Sequence, residues 1–142
     1  MEKFKFLDIA TADIAFEAYG KSLNELFENS ALATFEVMSD TKKIKQKIKR
    51  TFSVGGNSVE NLLFDFLSEL IYLKDADKVV FSKFMVKVNG KGNSWKASAS
   101  AHGDNIKSAK QNLKLDVKAV TLHMFKIEKT KNGYKAFVLL DI

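Results

Sequence analysis

Hydrophobic and polar positions change period several times along this chain, and each change marks an element. Ile14, Phe16 and Ala18 alternate with Ala15, Glu17 and Tyr19, the two-residue period of a strand. Gly20 breaks that strand. Ser22-Leu-Asn-Glu25 then reads as a capping box, with hydroxyl and carboxylate satisfying free amides at a helix start. Leu23, Leu26, Phe27, Ser30, Ala31, Thr34, Phe35 and Met38 follow at helical spacing, predicting a helix to about Met38 with a buried face. Phe4 to Leu7 also reads as extended, with a turn or bulge over residues 8–13 before the second strand.

Residues 42–50 form the densest basic run, where Ile44, Gln46 and Ile48 alternate with Lys45, Lys47 and Lys49. The pattern predicts a strand with one solvated face, carried on to Val54 and stopped by Gly55-Gly56. Asn57-Ser-Val-Glu60 repeats the capping logic with Asn57 as cap. Val59, Leu62, Leu63, Phe66, Leu67, Leu70 and Ile71 then give the cleanest amphipathic helix, expected to end near Leu73. Beyond it the two-residue period returns. Residues 79–88 and 94–101 read as a hairpin joined at residues 89–93, with Trp95, Ala97, Ala99 and Ala101 on one face. Residues 103–113 are polar and read as loop. Residues 117–128 and 134–142 read as a second hairpin, with Asn132-Gly133 as a type I′ turn. The expected fold is α+β: a single domain over 1–142, with two amphipathic helices packed on a largely antiparallel β-sheet.

Composition removes several kinds of function. The chain of 142 residues has no cysteine, so disulfides, thiolate metal sites and cysteine nucleophiles are excluded. A metal site must use oxygen ligands or His102 and His123. No apolar run reaches the eighteen or so residues of a membrane span, and the N-terminal residues lack a signal-like apolar stretch, so a cytoplasmic location is expected. The net charge of +6 favours acidic partners. Arg50 is the only arginine, which argues against base readout by bidentate contacts. P-loop, dinucleotide, zincin and nucleophile-elbow motifs are all absent.

A few positions stand out against that background, each with two readings. The basic run is either an aggregation-resistant edge strand or an electrostatic footprint for RNA. Asp65 and Glu69 share a helix flank, where solvated acids and a dicarboxylate site look alike. His123 falls beside Thr121 in the alternation of residues 116–123 and reads there as a hydrogen-bonded core histidine, a second reading coming only with the resemblance given below. Asp13 puts a carboxylate at the entrance of an apolar strand. Asp141, followed by the carboxylate of Ile142, ends another. If those strands pair, the acids converge, and such a cluster needs a cation to stay ionised. Oxygen ligands would favour Ca²⁺, Mg²⁺ or Mn²⁺ over zinc or copper. Otherwise the C-terminus is simply frayed and solvated.

Several segments, taken together in order, resemble the archease family. They are Thr11-Ala-Asp13, the helix LNELFENSALATFEVMSD, LLFDFLSELIY, the AHGD turn, Asp116-Val-Lys-Ala-Val-Thr-Leu-His123 and the terminal Asp141-Ile142. The resemblance implies a metal site of Asp13, Asp141 and Ile142, with Ca²⁺ the ion expected in a structure. It also implies a functional surface near Lys118 and His123, with Asp40 a further candidate. Two positions depart from the family pattern: Ala10 stands where a histidine is common, and Leu122 where a tyrosine is.

The function implied is that of an accessory protein, not an enzyme. It would activate an RtcB-type RNA ligase in tRNA splicing, promoting GTP-dependent guanylylation and multiple turnover through a carboxylate-bound metal ion. The ligase would be the direct partner, tRNA and GTP indirect ones, and self-association is left open. Two other readings compete: a stand-alone basic RNA-binding or chaperone-like module, and an independent metal-dependent hydrolase.

Overall fold

The computed structural model describes residues 2–7 and 13–142, so the turn expected over residues 8–13 falls almost wholly outside the described residues. Those residues form seven strands and two α-helices: β1 (Phe4–Leu7), β2 (Asp13–Gly20), α1 (Leu23–Met38), β3 (Ile48–Gly56), α2 (Val59–Asp77), β4 (Val79–Lys91), β5 (Ser94–Asn105), β6 (Ala119–Thr130) and β7 (Gly133–Asp141). The α+β prediction holds, with one refinement. There are two antiparallel sheets, ordered β1-β2-β7-β6 and β3-β5-β4, and the helices serve both.

Apart from β1, the chain is two copies of one motif. In each, a strand leads to a helix and then to a hairpin, and the hairpin's second strand pairs with the strand before the helix. One unit is β2-α1-β6-β7. The other, β3-α2-β4-β5, is inserted between α1 and β6. The correspondence extends to single residues. Gly20-Lys21-Ser22 and Gly56-Asn57-Ser58 make the same strand-to-helix corner. Ser22 Oγ accepts from Glu25 N at 3.2 Å, and Ser58 Oγ accepts from Asn61 N at 3.1 Å. The cap of α2 is therefore Ser58, not Asn57, whose side chain instead accepts from the amide of Asn61.

Each helix packs on a strand of its own unit and on an edge strand of the other, α1 on β2 and β4, α2 on β3 and β6. Asn24 Oδ1 and Glu28 Oε2 accept from Val88 N and Val86 N on the free side of β4, at 2.7 and 2.9 Å. Glu60 Oε2 does the same for Ile127 N of β6 at 3.0 Å. Asn24 and Glu60 occupy the same place in their helices, one residue after the first helical position. Exposed sheet edges are thereby closed by helix side chains, which removes two templates for unwanted strand pairing. The core joins the units: Phe66 of α2 lies 5.4 Å from Phe27 of α1 and 5.8 Å from Phe52 of β3, centroid to centroid. The small face predicted on β5 is covered as expected, with Ala97 and Ala101 wholly buried.

Some boundaries differ from the sequence pattern. Residues 44–47 are not strand; β3 begins only at Ile48, after a single 3₁₀ turn, Thr41–Lys43. Ile44 produced the apparent alternation because it is a core plug, held where its carbonyl accepts from Ser82 Oγ. β5 runs on through Asn105, and β6 starts two residues later than predicted. In the last hairpin the turn residues are Lys131 and Asn132, neither at positive φ, so the type I′ turn is not formed. Gly133 is required for a different reason: a Cβ there would sit 2.1 Å from the carbonyl oxygen of Gly20.

Candidate functional site

β2 and β7 pair antiparallel with Asp13 directly opposite Asp141, and Ala119 of β6 stands on the other side of Asp141 in the same row. Directly opposed residues point to the same face with Cβ atoms about 5 Å apart, so the two carboxylates share one end of the sheet. The inner side of these strands is fixed by Ile14, Phe16 and Ala18 facing Leu140, Val138 and Ala136, which are mostly fully buried. Asp13 and Asp141 fall on the alternate positions and so on the outer face. Ile142 follows immediately, half-buried and packed against the core.

The strand end is tied down from outside the sheet. Lys118 N donates to the Asp141 carbonyl at 2.8 Å, while the Lys118 side chain is exposed beside the row. The segment leading to Lys118 is held by a residue that the helical pattern had not marked as functional. Lys74, near the end of α2, is 2% exposed. Its ammonium donates to the Asp116 carboxylate and, at 3.0 Å, to the Val117 carbonyl, and it pairs with Asp75 at 2.8 Å. A buried ammonium is tolerated only with such partners. Its position was visible in the spacing: Lys74 continues the apolar stripe of Leu67, Leu70 and Ile71, where a lysine needs a buried partner.

The other candidates are placed less tightly. Asp40 begins the 3₁₀ turn after α1, donates its backbone N–H to the Asn112 carbonyl at 2.9 Å and pairs with Lys43 at 3.7 Å. One turn earlier, Glu36 and Val37 line a groove with Ile14, so Asp40 lies at the same end of the molecule as Asp13 without joining its row. His123 is exposed, and the core reading of this residue is wrong. The register between β6 and β7 slips between Thr121 and Lys126, with Met124 at φ 57°. This bulge turns His123 outward, its N–H resting on Thr121 Oγ1 at 3.3 Å, while Leu122 and Met124 are left more than 60% exposed. Among the described residues no three His, Asp or Glu side chains converge. The oxygen donors available at this strand end are two aspartates and the adjoining Ile142. That is an oxygen-only set suited to a hard divalent cation and poor in the nitrogen or sulfur that zinc prefers. Asp65 and Glu69 line a shallow groove with Tyr72, joined there by no third acid or histidine.

The model of the Archease protein family matches residues 4–142, nearly the whole chain. The chain belongs to the archease family. Its relatives include protein archease of Methanothermobacter thermautotrophicus, 40% identical over the full length of both chains. Protein archease of Methanosarcina barkeri is also 40% identical, covering 99% of this chain and 97% of that one. The solution structure of Methanobacterium thermoautotrophicum protein 1598 superposes with a TM-score of 0.88, at 40% identity and complete coverage of both. A crystal structure described as an archease, possible chaperone, from Thermotoga maritima shares the fold at a TM-score of 0.63 and 22% identity, over 94% of this chain and 93% of that one. In this family member the described residues contain no helix long and apolar enough to cross a membrane.

Proposed function

We propose that this archease is the protein cofactor of an RtcB-type RNA ligase acting in tRNA splicing in the cytoplasm. It would promote guanylylation of the ligase by GTP and its repeated turnover. Family membership supports the class of partner, and the direct register of Asp13 with Asp141 is the observation that carries the mechanism. Asp13, Asp141 and Ile142 would hold one divalent cation, Ca²⁺, Mn²⁺ or Mg²⁺, through oxygen alone. When bound, the ion supplies positive charge at a nucleotide's phosphates. The residues of the chain do the rest. The Lys118 amide and, through it, Lys74 keep Asp141 from fraying at a strand end that would otherwise be loose. Few ligands and partial exposure favour exchange of the ion over permanent retention.

The test is ligase guanylylation and multiple-turnover RNA joining with wild type, Asp13→Ala and Asp141→Ala, beside calorimetric titration of each protein alone with Mn²⁺ and Ca²⁺. Wild type should stimulate and bind the ion, and both variants should lose both properties while staying folded. Stimulation that survives in both variants would leave the partner and discard the metal. No stimulation of a cognate ligase would sink the proposal.

A further inference from the structure

The two units superimpose topologically, so each position on the outer face of one sheet has a counterpart on the other. The counterpart of the Asp13–Asp141–Ala119 row is Lys49–His102–Lys83, the matching row where β3, β5 and β4 run side by side. Where one unit gathers carboxylates, the other gathers cations. The next rows of that face are Thr51–Ser100–Met85, Ser53–Ser98–Lys87 and Gly55–Lys96–Asn89. The face therefore carries four lysines, one histidine and four hydroxyls, and no carboxylate stands on it.

We infer that this outer face of β3-β5-β4 is a docking surface for the phosphate backbone of RNA. Its cations are available: among the described residues none of Lys49, Lys83, Lys87 and Lys96 forms an ion pair. His102 Nδ1 is buried in the middle of the first row without a hydrogen-bond partner. The surface is an open depression of about 840 Å³ floored by Thr51, Ser53, Ser98 and Ser100. Glu25 and Glu28 stand along one wall, but both are turned to backbone amides, of Lys21 and Val86. Lys45 and Lys47, exposed on the segment that plugs Ile44 under β4, extend the positive charge past the first row. Rows on one face repeat every about 6.8 Å along a strand, so the lysines form a two-dimensional array and not a single point charge. The face presents no aromatic ring to stack a base and no arginine to read one, so binding would follow charge and 2′-hydroxyls and be indifferent to sequence. The inference goes beyond the ligase reading and does not depend on it.

The experiment is fluorescence anisotropy of a short, unstructured, labelled oligoribonucleotide with the full-length protein across a salt series. Four phosphates neutralised on a single strand give a log–log slope of about −3, or about fifty-fold weaker binding between ~50 and ~200 mM salt. The quadruple variant Lys49→Gln, Lys83→Gln, Lys87→Gln, Lys96→Gln should lose at least tenfold in affinity and flatten the slope. A control with Lys107, Lys110, Lys129 and Lys131 changed to Gln removes the same charge elsewhere and should bind nearly as wild type. Asp13→Ala should bind RNA normally, which separates this result from failure of the metal reading. Equal losses in both quadruple variants would mean diffuse charge and overturn the assignment. A face variant that keeps its RNA affinity but loses ligase stimulation would make the surface a protein interface and overturn it as well.

Discussion

The two β-α-β-β units have the same corner, the same serine cap and an edge-sealing side chain at the same helix position, yet their outer faces have opposite electrostatic characters. On β2-β7-β6, charges answer one another. Lys126 pairs with Glu128, and Lys135 lies 3.6 Å from Glu128 and 3.7 Å from Glu17. Tyr19 Oη donates to Glu17 at 2.9 Å. Among the described residues of these strands, the final row, Asp13 with Asp141, breaks that balance. On the outer face of β3-β5-β4, among the described residues, no carboxylate forms an ion pair with Lys49, Lys83, Lys87 or Lys96. The difference teaches that the interior fixes the architecture while the outer rows, apart from the buried Ala15–Leu139 pair, are free to vary in chemistry. One scaffold thus carries a paired-carboxylate end and a face of unpaired lysines.

The comparison breaks first in the shared interior. Phe66 is fully buried and touches aromatic rings of both units. Phe66→Ala should destabilise the protein by about 3–5 kcal/mol, and urea unfolding should show one transition, because neither unit owns this contact. Two separate transitions would mean that the units are independent.

A smaller effect is expected at the tether between units. Lys74→Met keeps the apolar stem but leaves the Val117 carbonyl without its partner, a loss of about 1–3 kcal/mol. It should also weaken Mn²⁺ binding in calorimetry, because the Lys118 amide loses its anchor to α2. Unchanged metal affinity with lowered stability would make Lys74 purely structural.

The outer faces should differ in alkaline titration. Burial, followed by the hydrogen bond to Glu17 and that carboxylate's charge, pushes the Tyr19 phenol up from 10.0 to about 12. The unfolded chain then releases this proton at lower pH than the folded one. Its contribution is complete below about pH 10 and is lost as the pH rises towards 12. Ultraviolet titration should find Tyr19 ionising late, and Glu17→Gln should bring it part of the way back. The smallest effect belongs to the paired charges themselves. Glu128→Gln should change stability less than any of these, and by less still in high salt, because such exposed pairs are screened.

Much of this architecture was legible in the sequence, for reasons that also explain the misses. Helix α1, its Ser22 cap and the alternating β4-β5 hairpin follow from local periodicity, which every residue in the element reports. The partition into two sheets could not be read, because strand order is a relation between distant segments that no period records. Residues 44–47 misled because one buried isoleucine in an extended loop mimics the period of a strand. His123 misled because a bulge shifts the parity of every later residue. The pairing of Asp13 with Asp141 was legible only as a condition on strand neighbours, whereas the Lys49–His102–Lys83 row needed the β3-β5-β4 order before its members could be seen together.

Nesting one unit inside the other also has a kinetic meaning. The central strand β7 is translated after everything it must join, so during synthesis β2 and β6 wait without the partner that bridges them. Contacts between such distant segments are slow to form, whereas the inserted unit contains all of its own strands and can condense early. The carboxylate pair then closes only when the last strand slides home between its neighbours. On the metal reading proposed above, capacity to capture a cation would mark the finished molecule, and a chain stalled before β7 would carry the basic face without the Asp13–Asp141 pair.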